Sequence, residues 1–264
     1  MSSLRITSTA NPRVKSALRL RRRRERDRLG LTLIEGTLEL EMALDAGVEL
    51  VDLLVWPEGY SGGDAEIAAR AERSAEARCE VSRPVAERIS YGEKISPLVA
   101  VARFPEPAEP RISPANALVL VLDRIEKPGN LGAALRSADA VGVTAVFVSG
   151  SPIDLFNPNV IRASLGTVFT LPVHHLSREA AAETLGDLPI VVATPEATLD
   201  YRRAAPRPPI AIVVGSEHDG VSDFWRERAN TEVRIPMRGR ADSLNLSVSA
   251  ALLLFEATRE KRER

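Results

Sequence analysis

Short, largely apolar runs recur through the second half of the chain at 117–122, 144–148, 190–193, 210–214 and 232–235, with helical stretches between them at 131–141, 158–165, 178–185, 222–229 and 244–259. Most of these runs are continuous Val, Ile and Leu rather than alternating apolar and polar residues. A strand of that kind must be covered on both faces, which is the condition of a parallel sheet layered between helices. The alternation therefore predicts an α/β domain whose ligands sit at the carboxyl ends of its strands. Three polar, glycine-bearing loops stand at such ends: 123–130 (DRIEKPGN), 215–222 (GSEHDGVS) and the start of 235–249 (IPMRGRADSLNLSVS). In the last helix Leu244, Val248, Leu252 and Phe255 fall on one face, the spacing of a packed stripe.

The preceding part predicts a separate, smaller α/β domain. Asn11 and Pro12 mark a helix start, with Val14, Ala17 and Leu18 beginning a stripe that continues over 20–29. A strand at 31–34, a helix over 36–46 closed by Gly47, and a buried strand at 50–56 stopped by Pro57 follow. A charged helix over 65–78, an extended piece at 80–82 and a short helix over 85–89 complete it. Residues 104–114 (FPEPAEPRISP) carry four prolines, a composition suited to an extended linker. The reading is thus a domain over 1–105, a linker over 106–115 and a second domain over 116–264.

At 264 residues, 44% hydrophobic and 27% charged, the chain belongs with folded globular proteins. No apolar run approaches the roughly 20 residues that cross a bilayer, and the first residues lack the apolar core of a secretory signal. The expectation is a cytoplasmic protein without a membrane partner. Cys79 is the only cysteine, so it reads as a small buried hydrophobe, and His174, His175 and His218 lack metal-ligand spacing. No metal is expected.

The net charge of −1 conceals an asymmetry. Residues 1–28 hold ten cations against Glu25 and Asp27, a net of +8, leaving −9 for the remainder. Such a block, with Arg13 and the run Arg21, Arg22, Arg23 and Arg24, suits the phosphates of RNA, because each phosphate neutralised releases counterion. A solvated basic face without a partner is the plainer alternative.

Common nucleotide motifs are absent. No G-x-G-x-x-G follows a strand, and although Gly215 and Gly220 have the Walker spacing, Val221 stands where that motif requires lysine. The three loops taken together resemble instead the signature of the SpoU/TrmH RNA 2′-O-ribose methyltransferases of the SPOUT superfamily. Asn130, Gly132 and Arg136 match its first motif (N-x-G-x-x-x-R). Gly215, Ser216, Glu217, Gly220 and Ser222 match the second, and Ile235, Pro236, Met237, Gly239, Ser243, Leu244, Asn245, Ser247 and Val248 the third. Arg162, Ser164 and Gly166, followed by Phe169, Leu171 and Pro172, resemble a further family segment. The resemblance is close over 117–258 and weaker in the first domain, and His218 departs from it where the family commonly has a small residue.

The resemblance implies a C-terminal SPOUT-type parallel-sheet domain with a deep trefoil knot, preceded by a ribosomal-protein-like substrate-binding domain. It also implies S-adenosylmethionine as cofactor and a homodimer whose site takes residues from both subunits. The catalytic set would be Asn130, Arg136, Glu217, Ser243 and Asn245, and the cofactor would touch Gly215, Ser216, Glu217, Ile235, Met237, Ser243 and Leu244.

Methyl transfer from a sulfonium to a ribose hydroxyl is an in-line displacement, so the site must align two reactants and manage the proton of a poorly acidic hydroxyl. The family's matching arginine is the proposed activator of the 2′-OH. Since arginine keeps its proton, Arg136 is better suited to orienting a phosphate and stabilising a developing alkoxide than to free general-base work; a structural ion pair is the alternative. Asn130 holds the target ribose or positions Arg136, roles compatible with its plainer reading as a helix cap, Glu217 orients Arg136 or Asn130 or is a surface carboxylate, and Ser243 either caps the last helix or faces the reactants. The expected activity is S-adenosylmethionine-dependent 2′-O-methylation of structured RNA, ribosomal RNA ahead of transfer RNA. A catalytically silent RNA-binding ribosome-assembly factor is the competing class. A base methyltransferase of the same superfamily would want an acidic general base near the first motif, a reading that the N-x-G-x-x-x-R pattern does not support.

Overall fold

The computed structural model describes residues 4–91, 94–106, 109–216 and 219–259. In chain order the first part forms β1 (Leu4–Ile6), α1 (Pro12–Arg19), α2 (Arg23–Leu29), β2 (Leu31–Glu35), α3 (Thr37–Asp45), β3 (Leu50–Val55), α4 (Asp64–Ser74), β4 (Ala75–Val81), α5 (Arg83–Ile89) and β5 (Leu98–Arg103). Its sheet runs β1-β4-β3-β5-β2, with β5 antiparallel to both neighbours and the other pairs parallel. The helix expected over 65–78 ends at Ser74, because Ala75–Val81 pairs with β1 and β3 and ladder pairing overrides the helical propensity of its alanines and charges. Strand β5, which the sequence reading left unassigned, is a continuous apolar run in mid-sheet, buried except at Arg103. Cys79 is buried as expected, and burial pushes its thiol up.

The rest of the chain forms β6 (Leu118–Asp123), α6 (Pro128–Ala140), β7 (Ala145–Ser149), α7 (Pro158–Ala163), α8 (Thr167–Thr170), β8 (Val173–Leu176), α9 (Arg178–Leu185), β9 (Ile190–Ala193), α10 (Tyr201–Ala204), β10 (Ile210–Gly215), α11 (Asp223–Arg226), β11 (Thr231–Val233) and α12 (Leu246–Thr258). The six strands make one wholly parallel sheet, β11-β9-β10-β6-β7-β8. Strands β6, β7 and β10 have no more than one residue short of full burial. That bears out the two-sided covering read from their composition. Strand β8, with its two histidines, gave no apolar signal and was not foreseen.

By their contacts the described residues form two compact units, and these are not two uninterrupted stretches. One comprises the described residues of Met1–Glu106 together with Asp154–Thr170; the other comprises those of Pro107–Ile153 and Leu171–Arg264. The break after 106 falls within the proline-bearing segment, and residues 154–170 group with the first unit. In the first unit the fully buried Arg26 donates from Nε to Asp154 at 2.9 Å and from Nη1 to the Leu20 carbonyl at 2.7 Å. The Thr32 hydroxyl bonds the Phe156 carbonyl at 2.6 Å, and Phe156 lies between Phe104 and Phe169. Gly166 fixes the fit: its φ is +83°, and a Cβ there would stand 2.7 Å from the Met42 Cβ and 3.0 Å from the Glu39 backbone. We expect Gly166→Ala to destabilise the first unit by about 2–4 kcal/mol, combining left-handed strain with overpacking, read as a lower midpoint of denaturant unfolding.

The apolar stripe of the last helix is turned around. Leu246, Ala250, Leu253, Leu254 and Ala257 are the buried apolar residues of α12, which packs on α6 and β10. Val248, Leu252 and Phe255 lie on the other side and are 46%, 36% and 55% exposed. Because α12 is apolar nearly all round, its spacing alone offered two stripes and no means of choosing between them.

Candidate active site

The carboxyl ends of β9 and β10 open into a cavity of about 350 Å³. Gly215, Ser216 and Gly220 line it from the loop after β10, Ile235, Met237, Asp242, Ser243 and Leu244 from the loop before α12, and Ala193, Thr194, Pro195 and Glu196 from the end of β9. The sheet's chain order reverses between β6 and β10, and open α/β sheets bind ligands at such a reversal. Gly215 is required by space: a Cβ there would lie 2.2 Å from the carbonyl carbon and oxygen of Gly220. The turn is closed by Gly220 N–H donating to the Ser216 carbonyl at 3.1 Å and Asp219 N–H to Ser216 Oγ at 3.0 Å, with Gly220 at φ +62°.

Asp123, buried at the end of β6, anchors this turn. It stands opposite Gly215 in the ladder, accepts from Ser222 N–H at 2.8 Å and receives Arg178 Nε at 2.8 Å. The carboxylate thus neutralises a guanidinium while fixing the far end of the second loop.

The first and third loops meet through their asparagines. Asn245 Nδ2 donates to Asn130 Oδ1 at 3.0 Å, and Asn245 Oδ1 caps α12 by accepting from Ser247 N–H at 3.0 Å. The cap is therefore Asn245 and not Ser243, which is left facing the cavity. Helix α6 opens at Pro128 with Lys127 at its cap, so Asn130 lies inside the first turn and its side chain serves Asn245 instead of capping. Arg136, further along α6, is exposed and engages no partner among the described residues. It does not line the cavity. Glu217 and His218 lie outside the described residues.

The mouth of the cavity is acidic. Glu196, Asp219 and Asp242 line it against Arg226, which bonds Glu232 at 3.0 Å. The Thr194 hydroxyl and a backbone N–H hold the Glu196 carboxyl below the usual carboxylate range. The β9 end was not foreseen as part of the site. Its signal was nevertheless present, a strand running into Thr194 and Pro195 in a sheet whose ligands sit at strand ends.

The SpoU rRNA Methylase family model matches residues 117–255, which hold all three loops. The chain belongs to this family. Residues 11–100 match a second model, the MRM3-like substrate binding domain. Over 97% of its length this SpoU chain is 30% identical to an uncharacterized tRNA/rRNA methyltransferase of Synechocystis, of which it covers 94%. It is 28% identical to the 23S rRNA (guanosine(2553)-2′-O)-methyltransferase RlmP of Bacillus subtilis, covering 95% of this chain and 97% of that one. Among solved structures, one of an RNA 2′-O ribose methyltransferase superposes with a TM-score of 0.86 at 49% identity, over 96% of this chain and 97% of that one. An AdoMet-bound rRNA methyltransferase from Sinorhizobium meliloti gives 0.83 at 28% identity, over 96% of each. The cofactor of the family, S-adenosylmethionine, suits the cavity in volume, in its apolar Ile235, Met237 and Leu244, and in the carboxylates that face a cationic ligand. No helix among the described residues is long and apolar enough to cross a membrane.

The five basic residues expected to meet RNA divide in two. Arg13 is paired with Asp52 and Arg23 with Asp27, while Arg21 donates to the Arg88, Ile89 and Ser90 carbonyls at 3.4, 3.0 and 2.9 Å and so caps α5. Arg22 and Arg24 are exposed.

Proposed function

We propose that this SpoU chain transfers a methyl group from S-adenosylmethionine to a ribose 2′-OH of ribosomal RNA. The observation that carries the reading is the Asn245–Asn130 hydrogen bond, which holds the first motif against the third beside a cavity built by the second and third. S-adenosylmethionine supplies an electrophilic methyl group on a sulfonium. Backbone of the Ser216–Gly220 turn and the side chains of Ile235, Met237 and Leu244 hold the cofactor, with Ser243 facing it. The Asn130–Asn245 pair fixes a hydrogen-bonding edge for the target ribose. Arg136, positively charged and without a partner among the described residues, binds the phosphate beside that ribose and stabilises charge developing on its 2′-oxygen. Transfer of labelled methyl to unmodified ribosomal RNA, followed by nucleoside analysis, tests this: a labelled 2′-O-methylnucleoside is the expected product. Label on a base would replace the reading, and cofactor and RNA binding without transfer would favour a silent assembly factor.

The homodimer belongs to the same proposal. Arg136 lies off the cavity lining in one chain, and the exposed stripe of Val248, Leu252 and Phe255 gives α12 an apolar face of the kind a second copy covers. Phe255→Glu is expected to shift the particle to monomer mass in analytical ultracentrifugation and to remove most of the turnover. The knot forms part of the reading as well. Supporting it, the segment leaving β11 runs beside another loop, Arg234 N–H bonding the Leu199 carbonyl at 2.8 Å and Tyr201 N–H the Arg234 carbonyl at 3.0 Å.

A further inference from the structure

The basic block of the first 28 residues is sorted by its partners. Arg5, Arg13, Arg23, Arg26 and Arg28 are committed to Glu58, Asp52, Asp27, Asp154 and Glu25, and Arg21 to three carbonyls. Among the described residues, Lys15, Arg19, Arg22 and Arg24 are exposed and make no hydrogen bond or ion pair through their side chains. Lys15 and Arg19 are one helical turn apart on the side of α1 away from the buried Val14 and Ala17. The Arg21 bonds at the end of α5 bring a further cation to the same turn of chain, Arg88, whose exposed side chain likewise makes no hydrogen bond or ion pair among the described residues. The acids in between are already neutralised, Glu25 by Arg28 and Asp27 by Arg23. Arg28's hydrogen bond holds Glu25 below the usual carboxylate range, and the charges of Arg19 and Arg24 add to that effect.

We infer that Lys15, Arg19, Arg22, Arg24 and Arg88 form the phosphate-contacting surface of the first unit, and that the ion-paired arginines of the same block are framework. The inference rests on the proposed RNA substrate. An arginine beside a carboxylate presents a dipole to a phosphate, whereas an unpaired one presents its whole charge and releases a counterion on binding. The surface is therefore set by which cations lack partners, and it differs from the consecutive run that is conspicuous in the sequence. Arg88 joins it from a position the sequence block does not include.

The test compares two triple variants of equal charge change in the full chain. One is Lys15→Gln, Arg19→Gln, Arg22→Gln; the other is Arg28→Gln, Arg70→Gln, Arg83→Gln, each of whose arginines is paired, to Glu25, Asp45 and Glu87. The probe is in-vitro-transcribed large-subunit ribosomal RNA, with affinity measured across salt concentrations. The first triple should reduce the slope of log K against log salt by about 1 per charge removed and weaken binding at least tenfold, while the second changes the slope by less than 1. Equal losses in both would show a general effect of net charge and overturn the inference, as would an unchanged first triple. Circular dichroism and cofactor affinity, expected to be unaltered, separate lost contacts from misfolding. Arg88→Gln alone, expected to lower the slope by about 1, repeats the test at a single site should the triple misfold. Methyl transfer by the wild-type chain is scored separately, so a silent protein with the predicted slopes would refute the proposed reaction and leave the surface standing.

Discussion

Arg136→Ala is expected to lower methyl transfer by at least about 10²–10³-fold, the cost of removing one donor aimed at developing negative charge, while cofactor affinity stays within about twofold. The split follows from position. Arg136 is exposed on α6, has no partner among the described residues and takes no part in lining the cavity, so among those residues its removal leaves neither an orphaned carboxylate nor a hole. Arg136→Lys keeps the charge but loses the planar fork, and should recover only part of the rate. Single-turnover transfer with calorimetric cofactor titration reads both quantities. Full activity in Arg136→Ala would remove the arginine from the reaction, and a parallel loss of cofactor affinity would make it a structural residue.

Gly215→Ala should act in the opposite way, on the cofactor first. The added Cβ would meet the Gly220 carbonyl at 2.2 Å and the Val221 nitrogen at 2.3 Å, both backbone. No rotamer change relieves that clash, and the loop cannot retreat freely because Ser222 N–H is tied to the buried Asp123. Overpacking of this kind costs about 1–3 kcal/mol, which at about 1.4 kcal/mol per decade is roughly a 5- to 140-fold loss of cofactor affinity if the cavity absorbs the strain. Isothermal titration with S-adenosylmethionine measures it. An affinity equal to that of the wild-type chain would mean that the turn holds no part of the cofactor.

The parallel sheet was legible because its strands are continuous apolar runs, and the cavity because seven residues of the second and third motifs, Gly215, Ser216, Gly220, Ile235, Met237, Ser243 and Leu244, all line it. The order of glycines and polar residues in a strand-end loop states a backbone path directly. What stayed hidden were choices made by partners distant in sequence. Asn245, rather than Ser243, caps α12, since both residue types cap equally well in isolation. The exposed side of α12 was taken for the buried one because the helix is apolar on both sides. Arg26 is indistinguishable from its neighbours in a run of charge, and only Asp154 makes it a core residue.

That last pair bears on modularity. The prolines invite division of the gene after the first hundred residues, yet a fragment ending there would keep the Arg26 guanidinium without its carboxylate, a loss worth about 3–5 kcal/mol for a buried pair. The first unit is also incomplete on the ribosome until residue 170 has emerged, so its maturation waits for synthesis of part of the second. Recombination that exchanges substrate-binding segments between relatives must therefore carry two pieces of coding sequence, one from each side of the linker.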